Sequence, residues 1–95
     1  MRKYEVMYII RTDIEQDAIK ALVEKFQKLI IDNGGEIQKL TEMGKKRLAY
    51  EIDDHKEGYY VLVKFTSEPN VVAELDRVFR ITENVLRYLI LKDEK

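Results

Sequence analysis

The chain has 95 residues with no Cys, no Trp and one Pro, a length that suits a single domain spanning 1–95, since one hydrophobic core serves roughly 100 to 150 residues. Seventeen Lys and Arg against 18 Asp and Glu leave a net charge of −1, which excludes a polycation held to nucleic acid by bulk charge and makes any such role depend on local charge. Without cysteine there is no disulfide framework, zinc finger, iron–sulfur site or thiol nucleophile. No run approaches the roughly 20 apolar residues of a membrane span, and Glu5 interrupts the apolar N-terminal run, so a cytoplasmic protein is expected.

Residues 2–10 alternate as a strand, with Tyr4, Val6, Tyr8 and Ile10 on one face and Lys3, Glu5, Met7 and Ile9 on the other. Thr12-Asp13-Ile14-Glu15 has the form of a capping box. The helix that follows should bury Ile14, Ala18, Leu22, Phe26, Leu29 and Ile30, and Asn33-Gly34-Gly35 should stop it. Residues 36–52 read as extended, with Gly44 marking a bulge or bend and Leu48, Tyr50 and Ile52 alternating. The polar stretch 53–58 reads as a hairpin connection into a strand over 59–66. Ser67-Glu68-Pro69 opens a second amphipathic helix carrying Val71, Val72, Leu75, Val78 and Phe79, which Thr82-Glu83-Asn84 ends. A last strand covers 85–92, leaving Asp93-Glu94-Lys95 as a charged, frayed end.

Strand, helix, strand, strand, helix, strand is the α+β split βαβ order (βαββαβ), a ferredoxin-like four-stranded antiparallel sheet with both helices on one face. The other face is then open. Placing charged positions outward puts Met7, Ile9, Tyr60, Leu62, Leu89 and Leu91 on it, bordered by Lys3, Lys64 and Arg87. So large an apolar patch on a small protein marks a partner surface.

Nothing catalytic converges. The one histidine, His55, lies in a polar turn among Asp53, Asp54 and Glu57, without a second His or Cys to complete a metal site. No phosphate loop, dinucleotide fingerprint or nucleophile elbow occurs, and no enzyme, cofactor, metal or small-molecule substrate is expected. The strongest electrostatic feature is Lys45-Lys46-Arg47, three adjacent cations able to reach phosphate oxygens. Arg2, Lys3 and Arg87 add cations beside aromatic residues. Tyr4 and Tyr88 are assigned to the core, and Arg77 and Arg80 to pairing with Glu74 and Asp76 on their own helix.

The segment 56–65 resembles the third-strand signature of RNA-recognition-motif domains, and a free-standing single-stranded RNA-binding module of that type is the alternative reading. By parity, however, only Tyr60 faces outward, and the first strand offers Met7 and Ile9 where that family has stacking aromatics. An acylphosphatase-like enzyme shares the fold, but the loop holding Arg11 lacks glycine spacing.

Residues 1–11, Gly44-Lys45-Lys46-Arg47-Leu48-Ala49-Tyr50-Glu51-Ile52, Gly58-Tyr59-Tyr60, Glu68-Pro69 and Asn84-Val85-Leu86-Arg87-Tyr88 together resemble the family of bacterial ribosomal protein six of the small subunit, over essentially the whole chain. The resemblance implies the ferredoxin-like fold and binding to the central domain of small-subunit ribosomal RNA as a heterodimer with ribosomal protein eighteen. On this reading Arg2, Lys3, Lys45, Lys46, Arg47 and Arg87 are the candidate RNA contacts. The open apolar face or the edge of the long second strand receives the partner.

Overall fold

The structure is a computed structural model that describes residues 1–93. It contains β1 (Arg2–Ile10), α1 (Gln16–Asp32), β2 (Glu36–Ile52), β3 (His55–Ser67), α2 (Pro69–Ile81) and β4 (Val85–Lys92). The strands form one antiparallel sheet in the order β2-β3-β1-β4. This is the expected βαββαβ fold, with β2 and β4 as its edges.

Both helices pack on one face. Tyr4, Val6, Tyr8 and Ile10 of β1 and Val61, Val63 and Phe65 of β3 meet Ile19, Val23, Phe26 and Ile30 of α1 and Val71, Leu75, Val78 and Phe79 of α2 in one buried cluster. At its centre Phe26 lies edge-on to Tyr8 with ring centroids 5.0 Å apart, and Phe79 lies 4.5 Å from Phe26. Tyr88 stacks on Phe79 at 4.8 Å and donates its hydroxyl to Asp76 at 2.6 Å. The strand parities and the core assignments of Tyr4 and Tyr88 therefore hold.

Helix α1 departs from expectation at its start. Arg11 forks onto both oxygens of Asp13, at 2.5 and 2.7 Å, which holds the Asp13 carboxyl down to about 2 and fixes the loop in a bend. Glu15 becomes the N-cap without a side-chain bond, so no capping box forms. The buried stripe is Ile19, Val23, Phe26 and Ile30, with Leu22 and Leu29 on its flank. The helix carries two adjoining apolar rows, and packing against α2 and the sheet selects between them. Its end is as expected: Asn33 Nδ2 donates to Leu29 O at 2.7 Å and Gly35 N to Ile30 O at 2.8 Å. Helix α2 begins on Pro69, and Arg77 and Arg80 pair with Glu74 and Asp76 within it.

The connection expected over 53–58 is much shorter. Only Asp53 and Asp54 turn, both left-handed at φ 49° and 68°, the backbone of a two-residue hairpin whose twist matches its strands and which Asp tolerates. Residues 55–58 already belong to β3, with His55, Glu57 and Gly58 paired to β2. At the far end, Asp93 donates its amide to Lys3 O at 2.9 Å and so extends the β1–β4 ladder. Glu94 and Lys95 lie outside the described residues.

Candidate nucleic-acid interface

The β2–β3 hairpin positions the basic triplet. Its register slips between Glu42 and Gly44, where Met43 is the extra residue of a bulge and Gly44 takes a φ of +82°. Beyond it Lys45 pairs with Tyr59, Lys46 with Gly58 and Arg47 with Glu57. Paired residues share a sheet face, so Lys46 projects on the open side with Tyr60, whereas Lys45 and Arg47 project on the other. All three are exposed. They line a surface cleft with Lys56 and Glu57, so Lys56 joins the cluster; that neighbourhood becomes visible only once the two-residue turn brings Glu57 opposite Arg47, with Lys56 next to it. Among the described residues none of these four lysine and arginine side chains has a carboxylate partner.

Past Arg47 the strands fall out of step. The next pair is Ile52 with His55, so β2 carries four residues, Leu48 to Glu51, where β3 has only Lys56. The excess folds over the open face. Leu48 turns inward and is buried at the point where β3 has Gly58; a Cβ there would stand 2.2 Å from Ile9 Cγ2 and 3.3 Å from Leu48 Cδ2. Only glycine admits both side chains. Two residues on, Tyr50 reaches β4: Arg87 Nη1 donates to its hydroxyl at 2.8 Å, and the guanidinium carbon lies 5.5 Å from the ring centroid, a cation–π contact. Strand alternation had placed Leu48, Tyr50 and Ile52 together, and no periodicity signals that the bulge separates them.

The predicted partner surface is only partly open. Leu89 and Leu91 are 51% and 50% exposed, and Met7, Tyr60 and Leu62 are half-buried. Ile9 is corrected: it is 5% exposed, covered by Leu48 through the opening at Gly58. Met7, Arg87, Tyr88 and Leu89 rim a mainly apolar cleft with Ile9 in its floor.

The six candidate RNA cations do not form one patch. Arg2 opposes Ser67 and Ile10 opposes Tyr59, the neighbour of Lys45, so eight residues of strand, ~26 Å, separate Arg2 from the triplet. Lys3 stands beside Arg2. Arg87, opposite Ile9, shares the hairpin's end of the sheet and is held there by Tyr50. Among the described residues no group of His, Cys, Asp and Glu is placed to hold a metal, and no helix is long and apolar enough to cross a membrane.

A split βαβ fold with helices on one sheet face, a partly open apolar face opposite and a cationic hairpin at one end has the make-up of a binding module. The family model for ribosomal protein S6 matches residues 3–92. The chain is 56% identical to small ribosomal subunit protein bS6 of Exiguobacterium sibiricum over the full length of both, and 50% identical to that of Moorella thermoacetica over all of this chain and 97% of the relative. The crystal structure of 30S ribosomal protein S6 from Thermotoga maritima superposes with a TM-score of 0.93 at 31% identity, covering 97% of this chain and 87% of that one. The chain belongs to the ribosomal protein S6 family, whose members are structural ribosomal proteins and not enzymes.

Proposed function

We propose that this protein is assembled into the small ribosomal subunit in the cytoplasm, where it binds the central domain of the ribosomal RNA as a heterodimer with ribosomal protein eighteen. The observation that carries this reading is the hairpin: Lys45, Lys46, Arg47 and Lys56 lie exposed at a sheet edge, four cations against the single carboxylate of Glu57 in their cleft, and among the described residues none of the four is in an ion pair. Phosphate contacts are the natural use of such charges, and the counterions they release supply the affinity. A near-neutral chain suits this role when a partner contributes further cations. The half-exposed Leu89 and Leu91, with Met7, Tyr60 and Leu62 beside them, offer that partner an apolar seat. Arg2 and Lys3 at the other end of the sheet would contact a separate stretch of RNA. The recognition-motif alternative gains no support, because Tyr60 is half-buried and no aromatic accompanies it from β1.

Filter binding to central-domain RNA across a salt series, with the partner protein present, tests the reading. Replacing Lys45, Lys46 and Arg47 by alanine is expected to weaken binding and to flatten the salt slope by roughly 2 to 3. Unchanged affinity and slope would remove the hairpin from the interface.

A further inference from the structure

The clasp between Tyr50 and Arg87 serves no evident structural purpose at the ring itself: Tyr50 remains 60% exposed, whereas the burial in the hairpin tip is supplied by Leu48. Yet the ring is held. Arg87 grips its hydroxyl at 2.8 Å and lies 5.5 Å from its centroid, so the ring's orientation is set before anything binds, and a ligand pays less to order it. Two cations share its side of the sheet: Lys46, four positions before it, projects on the open face, and neither it nor Arg87 pairs with a carboxylate among the described residues.

A flat, pre-oriented aromatic surface flanked by unpaired cations matches an unpaired nucleotide, whose base stacks while its phosphates meet the charges. We infer that Tyr50 is a stacking site for a single unpaired RNA base, with Arg87 as the positioning residue that holds the ring and Lys46, on the same face, binding an adjoining phosphate. The inference rests on the ribosomal RNA reading above. It relocates the aromatic contact from the sheet, where Tyr60 is partly covered, to the folded-over tip of the hairpin.

The test uses the full chain at low salt and an RNA hairpin whose single-stranded loop carries 2-aminopurine, read by fluorescence quenching. Wild type is expected to quench the probe. Tyr50→Leu should bind on the order of 10- to 100-fold more weakly and lose the quench while keeping the salt slope, since no phosphate contact is removed. Tyr50→Phe, which keeps the ring but not its hydroxyl, should retain the quench and lose only a few-fold in affinity. If Tyr50→Leu binds and quenches like wild type while the Lys45, Lys46, Arg47 triple variant fails to bind, stacking is wrong and the RNA reading stands. If neither variant changes, both fall. If Tyr50→Leu impairs only association with the partner protein, the ring is a protein contact and the proposal is overturned.

Discussion

The two faces of the sheet are built from the same four strands and do opposite work. On the helix side Tyr8, Ile10, Val61, Phe65 and Phe26 are at most 1% exposed, whereas on the other side Leu89 and Leu91 are half exposed and the tip of β2 folds across Ile9. Most of the stability therefore resides on the covered face, and outside the small Ile9–Leu48 contact the open face is free to present side chains that folding does not require. The division also explains the bulge at 48–51: extra residues are tolerated where no helix constrains them, and they deliver Tyr50 across the sheet to Arg87.

Substitutions on each side break or sharpen this contrast. The largest effect is expected from Phe26→Ala, which removes a ring packed on Tyr8 and Phe79 and should cost about 3–5 kcal/mol in urea unfolding, with the RNA affinity of the folded protein unchanged. A cost below about 1 kcal/mol would contradict the assignment of stability to this face. Gly58→Ala comes next, because its Cβ would collide with Ile9 and crowd Leu48. A loss of about 1–3 kcal/mol is expected, and unlike Phe26→Ala it should also weaken RNA binding by displacing the hairpin. Equal RNA affinity in both variants would show that the hairpin's seat on Ile9 is irrelevant to binding.

Tyr8→Phe should act in the opposite direction. Among the described residues the buried Tyr8 hydroxyl has no hydrogen-bond partner, so removing it is expected to stabilise the fold by about 1 kcal/mol. Burial first, then the Glu42 carboxylate and Tyr59, push this phenol far above its ordinary value. The folded chain keeps a proton that the unfolded chain releases, so this group leaves wild-type stability independent of pH below about pH 10 and lowers it as pH rises beyond that. Alkaline unfolding should therefore be shallower in Tyr8→Phe than in wild type; identical profiles would mean that another group controls it. The smallest stability effect belongs to Leu89→Ser combined with Leu91→Ser, within about 0.5 kcal/mol each. Pull-down of ribosomal protein eighteen should nevertheless fall sharply, and retention at wild-type level would move the partner off this face.

Local sequence alone determined the six elements, their order and the inward parity of β1, β3 and β4, because alternation and helical spacing are set within a few residues and burial then enforces one register; the bulged β2 has no single parity to read. Tyr4, Val6 and Tyr8 read as core and are core; Pro69 opens a helix as expected. The start of α1 was not legible, because the bond that decides it joins Arg11 to Asp13 outside the capping pattern. The burial of Ile9, the approach of Lys56 to the triplet and the meeting of Tyr50 with Arg87 depend on a bulge and on contacts 37 residues apart in the last case. Such contacts leave no period in the chain, so only the tertiary structure could decide which exposed residues face one another across the sheet. The charge arithmetic showed that any nucleic-acid role must be local; the hairpin's register specifies where, since pairing, and not composition, sets which cations share a surface.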